Sequence, residues 1–277
     1  MKGQIVKIIS NDYFVDSSDK EYICKARGIF KQNKETLKVG DYVSFDDDKK
    51  VIEKLFPRKN TLDRPFVSNV DVAFIVTSLK KPDFSTNLLD KLLVICSLNN
   101  IEPVICVTKK DLLKGSEYKK IKNILNYYKK IGYTIVYNTN ISKIKRLIKN
   151  KVVVLTGQTG SGKSTLINKL DKTLDFETGE ISEALGRGKH TTRHVSLVKI
   201  SKGKVLDTPG FSAIDLDKYT DEEIRKSFVE FNKFSCKYKG CTHTKENNCS
   251  IKNNVPNKIL ESRYNNYLNF IERRNKK

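Results

Sequence analysis

Gly157-Gln158-Thr159-Gly160-Ser161-Gly162-Lys163-Ser164-Thr165 is a complete G-x-x-x-x-G-K-S sequence. It follows the buried-type run VVVLT (152–156) and opens a helical segment around Leu166 to Leu170. The glycines let the chain curl so that successive backbone N–H groups face a polyphosphate, and the helix N-terminus adds positive partial charge. Lys163 is placed to reach the β- and γ-phosphates, and the Ser164 hydroxyl to ligate Mg²⁺. Strand, loop and helix in this order set the fold class as α/β.

DVAFIVT (71–77) and EPVICVT (102–108) are apolar runs suited to buried parallel strands, and Asn87 to Leu98 between them has helical spacing. Residues 117–131 place Tyr118, Ile121, Leu125 and Tyr128 on one stripe with lysines opposite, which predicts an amphipathic helix. TIVY (134–137), HVSLVKI (194–200) and KVLDT (204–208) complete a doubly wound sheet. Residues 1–56 read differently. GQIVKII, DYFVD, EYICKA, VGDYVSF and VIEKLF are five short strands, which suit a small closed barrel of the OB type. An SH3-like barrel fits the periodicity nearly as well. Pro57 and Pro65 bracket a polar connector, RKNTLDR, and beyond Phe211 the pattern is helical, with helices expected at Asp221 to Phe231 and from about Pro256 to Arg274. The expected domains are 1–64 (barrel and connector), 65–213 (nucleotide domain) and 214–277 (helical module).

Val205-Leu206-Asp207-Thr208-Pro209-Gly210 ends a strand with a carboxylate. Asp207 is expected to hold Mg²⁺ through water, and the Gly210 N–H to meet the γ-phosphate. Between this segment and the phosphate loop lies Gly186-Arg187-Gly188-Lys189-His190-Thr191-Thr192-Arg193, whose adjacent hydroxyls can complete the Mg²⁺ shell. Thr192 is the candidate, and spacing does not separate it from Thr191. Thr108-Lys109-Lys110-Asp111 follows EPVICV, at the carboxyl edge where a base-reading loop belongs. A carboxylate at Asp111 accepts from N1–H and the exocyclic amine of guanine, a donor pair that adenine lacks. The aliphatic stem of Lys109 can cover the base plane. Together the loops favour GTP and GDP over ATP.

Three of the six cysteines form Cys236-x4-Cys241-x-His243-x5-Cys249. Cys₃His is a closed tetrahedral set for structural Zn²⁺, with no open position for catalysis. Metal would fold a segment too small to hold itself together. Cys24, Cys96 and Cys106 lie in apolar stretches and are expected simply to pack.

The order of the loops is unusual, since Thr108 lies 49 residues before Gly157. In ordinary small GTPases the phosphate loop comes first and the base-reading loop last, so the domain is circularly permuted. Through the L-D-R-P-x-x-x-N-V-D segment at Leu62 to Asp71, TKKD, GQTGSGKST, GRGKHTT, DTPGF and the cysteine cluster, nearly the whole chain resembles the RsgA family of bacterial ribosome-small-subunit-dependent GTPases. The resemblance implies an OB domain, a permuted G domain and a C-terminal zinc module. It further implies a Mg²⁺-dependent GTPase that binds 16S rRNA on the small (30S) ribosomal subunit and assists its late maturation. Hydrolysis would be stimulated by the subunit, and the chain would act as a cytoplasmic monomer. A P-loop ATPase, or an RNA-binding module with a structural nucleotide site, are the alternatives these residues leave open.

Three departures stand out. Thr108 takes the place where many GTPases have Asn, and the fifth loop, usually Ser-Ala-rich, reads Tyr137-Asn138-Thr139-Asn140. Phe211 follows DTPG where Ras-like enzymes carry the glutamine that orients the attacking water. Slow intrinsic hydrolysis follows, and His190 is a candidate for positioning the water.

Composition agrees with a polyanionic partner. The chain of 277 residues carries 53 basic against 32 acidic side chains, a net +21, and the region 65–213 holds +13 of that excess. The bases are 43 Lys and 10 Arg, which argues against direct base readout by Arg forks. Lys109 to Lys151 holds 13 basic groups against Asp111 and Glu117, and reads either as a solvated helix face or as a phosphate-contacting surface. No apolar run approaches the length of a membrane span, and MKGQIVKIIS lacks the apolar stretch of a secretory signal.

Overall fold

The computed structural model describes residues 1–33, 35–63, 65–171, 195–207 and 216–275. The chain begins with β1 (Lys2–Ile9), β2 (Asp12–Ser17), β3 (Lys20–Ala26), the short helix α1 (Gly28–Gln32), β4 (Tyr42–Asp46) and β5 (Val51–Leu55). These five strands pair in the order β1-β2-β3-β5-β4 and close through β4 back onto β1, with only β3 and β5 parallel. That is the Greek-key barrel of an OB-fold. Ile5, Val15, Val43, Phe45 and Ile52 point inward by strand alternation and fill it.

The polar connector is folded. Its residues supply β6 (Thr61–Asp63), which pairs as a hairpin with β7 (Phe66–Ser68) just beyond Pro65. Arg58 donates from Nε and Nη2 to the fully buried Asp41 carboxylate, both at 2.7 Å, and Asp41 also accepts from the Ser68 hydroxyl at 2.6 Å and the Lys38 N–H at 2.7 Å. Gly40 approaches the Ser68 carbonyl so closely that a Cβ there would lie 2.1 Å from the oxygen. The Asp71 carboxylate then accepts from the Val152 N–H at 2.8 Å. The L-D-R-P-x-x-x-N-V-D segment thus fastens the barrel to the next domain.

That domain comprises β8 (Val72–Ser78), α2 (Thr86–Leu98), β9 (Glu102–Thr108), α3 (Gly115–Lys130), β10 (Thr134–Tyr137), α4 (Ile141–Ile148), β11 (Val152–Thr156), α5 (Lys163–Leu170), β12 (Ser196–Ile200) and β13 (Gly203–Asp207). The sheet order is β10-β9-β8-β11-β13-β12, parallel except for the last strand. β8, β9 and β11 are buried along nearly their whole lengths because helices cover both faces. α2 and α3 pack on one side, α4 and α5 on the other. Parallel pairing brings the carboxyl ends of β8, β9, β11 and β13 to one edge.

The C-terminal residues add α6 (Asp221–Lys226), α7 (Ser250–Asn253) and α8 (Glu261–Asn275). α6 opens with a capping box, Thr220 with Glu223, and ends five residues before the expected Phe231. The Ser227 hydroxyl donates to the Glu223 carbonyl at 2.9 Å, and the chain turns so that Phe228 and Phe231 stack at 5.1 Å in the core. α8 starts at Glu261, not near Pro256, because residues 254–259 form a turn closed by bonds from the Lys258 and Ile259 N–H groups to the Asn254 carbonyl. Phe228, Tyr267 and Phe270 share one apolar cluster with Leu89 and Leu93 of α2, so this module rests on a helix of the nucleotide domain. No helix among the described residues is long and apolar enough to cross a membrane.

Candidate nucleotide site and metal centre

The phosphate loop leaves β11 at Thr156 and enters α5 at Lys163. Gly157, Gly160 and Gly162 all have positive φ, at 136°, 74° and 97°. Gly157 is required by space as well, since a Cβ would lie 2.1 Å from the Val76 carbonyl oxygen of β8. Lys163 Nζ donates to the Gly157 carbonyl at 3.0 Å and the Gln158 carbonyl at 2.7 Å, which aims its ammonium into the loop. Burial lowers its pKa, so an anion delivered there is matched with an under-compensated cation. The fully buried Ser161 hydroxyl has no hydrogen-bond partner among the described residues. An orphan hydroxyl and an inward lysine beneath a curled glycine loop fit a polyphosphate.

Thr108 ends β9 and bridges the loops. Its hydroxyl donates to the Ser161 carbonyl at 2.6 Å. Lys109, held in the left-handed region at φ 54°, extends its amine to the Gly160 carbonyl at 2.8 Å and to the Lys81 carbonyl. Its stem therefore spans the gap between base loop and phosphate loop. Lys110 lies over the rings of Tyr118 and Tyr137 at 5.4 and 5.5 Å, and Asp111 is exposed in the 3₁₀ turn Lys110–Leu112. Gln158 and Thr159 belong to the phosphate loop itself, and Ser164 and Thr165 to the first turn of α5. In the fifth loop the Asn138 N–H donates to the Val107 carbonyl at 3.0 Å, while Asn140 accepts from the Lys143 N–H and caps α4.

Asp207 ends β13 beside β11, at the same edge. His190, Thr191, Thr192, Gly210 and Phe211 lie outside the described residues. Sequence reasoning missed the third wall of the site. The segment after β8 supplies the Lys81 carbonyl, and Ser85 caps α2 next to Gly157 and Gln158. Its only sequence signal is the Pro82–Ser85 break between an apolar strand and a helical stripe.

The cysteine cluster converges. One donor atom from each of Cys236, Cys241, His243 and Cys249 lies within 4.8 Å of the others. Cys236 and Cys249 sulfurs are 3.8 Å apart, and His243 Nδ1 is 3.3 Å from Cys249 and 3.5 Å from Cys236. A tetrahedron with Zn–S near ~2.3 Å and Zn–N near ~2.0 Å has edges of about 3.8 and 3.5 Å, so the donors fit Zn²⁺. Burial raises the Cys236 thiol, but N–H groups of Ser250 and Ile251 at the start of α7 outweigh it and lower its pKa, favouring thiolate. The Tyr264 hydroxyl donates to the His243 carbonyl at 2.8 Å, and Phe231 meets the imidazole edge-on at 5.7 Å. Cys24, Cys96 and Cys106 are buried away from the cluster, and burial pushes the Cys106 thiol up to about 12.

Comparison with known proteins agrees with this geometry. The model of the RsgA GTPase family matches residues 55–217, and that of the RsgA N-terminal domain matches residues 2–51. Small ribosomal subunit biogenesis GTPase RsgA 2 of Oceanobacillus iheyensis is 45% identical, with 98% of this chain and 96% of the relative covered. RsgA 1 of Listeria monocytogenes is 44% identical, with 98% and 97% covered. Among solved structures, YloQ, a circularly permuted GTPase, superposes with a TM-score of 0.84 at 35% identity, covering 99% of this chain and 95% of its own. YjeQ from Thermotoga maritima superposes at 0.88 and 32% identity, covering 100% and 99%. With the permuted loop order, the barrel and the matched sequence all in agreement, this chain belongs to the RsgA GTPase family.

Proposed function

We propose that this protein is a GTPase of small ribosomal subunit biogenesis whose turnover is governed by the subunit. The observation that carries the reading is the Thr108–Ser161 hydrogen bond, which locks a guanine-type base loop to a phosphate loop across a permuted sheet edge. Relatives whose names state this function cover nearly the whole chain at 42–45% identity.

In this reading Asp111 accepts the two guanine donors and the Lys109 stem covers the base. Gly157 to Thr165 cradle the phosphates, with Lys163 on the β- and γ-oxygens. Ser164 and Thr192, with Asp207 through water, would hold Mg²⁺, which supplies charge neutralisation at the transferring phosphoryl group. Gly210 donates its N–H to the γ-phosphate, and His190 positions water where Phe211 offers no polar group. Cys236, Cys241, His243 and Cys249 hold structural Zn²⁺. The units 1–64, 65–213 and 214–277 act together on 16S rRNA late in 30S maturation, as a cytoplasmic monomer. Because the segment after Gly210 leads into the C-terminal module, nucleotide state would reposition residues 214–277 and set subunit affinity.

The test is GTP turnover with isolated small subunits, large subunits and neither. Stimulation by small subunits alone is expected, and equal rates in all three overturn the reading. Asp111→Asn is expected to weaken GTP binding at least about tenfold while leaving ATP binding unchanged, because a carboxylate facing two donors becomes an amide with one acceptor. Nucleotide competition against a fluorescent GDP analogue measures this.

A further inference from the structure

A second cleft lies at the amino end of β11, the strand whose carboxyl end leads into the phosphate loop. Directly opposed residues on antiparallel strands share a face, and here Lys2 opposes Ser44, Gln4 opposes Tyr42, and Ser44 opposes Lys54. The Phe56 N–H donates to the Tyr42 carbonyl at 2.9 Å, and Lys2 lies 4.6 Å over the Phe56 ring. This outer face carries two aromatic rings flanked by lysines, and Tyr42 is 40% exposed.

Of this face, Gln4 and Tyr42 border an open cleft of about 430 Å³, with Asp16 and Asp19 beside them and Lys151, Lys199, Lys202 and Lys204 in the wall formed with the β12–β13 hairpin. The wall is rigid. Ser201 and Lys202 form the tight turn with φ of 52° and 62°, and Asn150 N–H donates to the Lys202 carbonyl at 2.8 Å. A Cβ on Gly203 would lie 2.2 Å from the Ile148 carbonyl, so the turn is seated directly on the end of α4. Asp16 holds Lys199 at 2.9 Å and Lys204 at 2.7 Å, and Lys204 also donates to Gln4 at 2.8 Å. These pairs fix the lysine heads in place. Lys202 is exposed and makes no ion pair among the described residues.

We propose that this cleft binds one unpaired RNA nucleotide, with its base stacked on Tyr42 and its phosphate on the Lys199–Lys204 turn. The inference rests on the small-subunit reading above and adds to it a contact surface remote from the GTP site. A stacking ring beside a lysine wall suits an unstacked base with a flanking phosphate, whereas a duplex keeps its bases stacked and offers no ring to Tyr42. The volume lies within the range that encloses a drug-sized ligand, the size of a single nucleotide.

The experiment measures anisotropy of a short fluorescein-labelled single-stranded oligoribonucleotide on the full-length protein, over a salt series. Tyr42→Leu is expected to weaken binding about tenfold, with Tyr42→Phe at wild-type affinity, because base–aromatic stacking needs the ring and not the hydroxyl. Lys202→Gln, at an exposed turn, is expected to lower the salt slope by about 0.7, as one lost phosphate contact on a single strand does. Unchanged affinity in Tyr42→Leu, or an unchanged slope in Lys202→Gln, overturns the assignment. So does an equal loss on duplex RNA, or complete displacement by equimolar uridine monophosphate, which would make the site one for free nucleotides. Small-subunit stimulation of wild-type turnover, run in parallel, judges the functional reading separately. Stimulation without any Tyr42 dependence of RNA binding removes the cleft and leaves that reading standing.

Discussion

At the scale of single residues, Thr108 shows how a departure from pattern is absorbed. The amide that many GTPases place here is absent, and the shorter hydroxyl turns instead to the Ser161 carbonyl at 2.6 Å. Thr108 is 1% exposed, so replacing it by valine leaves a buried carbonyl without its donor. Thr108→Val is expected to cost about 1–3 kcal/mol, read as a fall in guanine-nucleotide affinity of about tenfold or more by equilibrium titration. Thr108→Ser keeps the donor and is expected to stay near wild type.

At the scale of elements, the Cys₃His loop is shaped by a carboxylate outside the four converging donors. Glu246 accepts from the Thr242 N–H at 2.6 Å, the Thr242 hydroxyl at 2.7 Å and the Thr244 N–H at 2.9 Å. Burial alone would raise its pKa, but these donors outweigh it and bring the value down to about 2 from an ordinary 4.5. A depressed folded-state pKa means that the unfolded chain binds the proton first as pH falls. The stabilisation is therefore complete above pH 4.5 and is lost progressively toward pH 2. Glu246→Gln is expected to lower the urea midpoint of the C-terminal module at neutral pH, and the gap to wild type to close across that window. The N–H groups of Ser250 and Ile251 favour the Cys236 thiolate, and if the four converging donors hold Zn²⁺ as proposed, Cys249→Ala is expected to abolish zinc binding, measured with a chromogenic chelator after acid release.

At the scale of the molecule, one buried cation joins the C-terminal module to the nucleotide domain. Arg263 of α8 is fully buried and donates to Asp90 of α2 at 2.6 Å and to Glu230 at 2.5 and 3.1 Å, while lying 4.6 Å over Phe228. Asn266 of α8 and Tyr128 of α3 both donate to the same Asp90, at 2.7 and 2.5 Å. α2 begins beside Gly157 and Gln158, so the helix that touches the phosphate loop also carries the C-terminal module. Arg263→Met leaves two carboxylates buried without their cation, and breaking such a pair costs about 3–5 kcal/mol. The expected outcome is a lower thermal midpoint with the zinc content of the protein unchanged from wild type. Stability should recover as pH falls, because the stranded carboxyls then take up protons.

Much of this was legible along the chain. The phosphate loop, the base loop, the cysteine spacing and the strand texture are local patterns, dictated by chain curvature, periodicity and ligand chemistry over a few residues, and their order alone declares a permuted domain. The helix ends at Lys226 and Glu261, the folded connector and the third wall of the nucleotide site were not legible, because each depends on partners far away in sequence. The same holds for Arg263, which in sequence is one more basic residue in a polar helix, and for Tyr42, one aromatic in a short strand. Local residue chemistry determined the motifs and their permuted order. Only packing, by bringing Asp90, Glu230 and Arg263 out of water together, decided how the domains are held to one another.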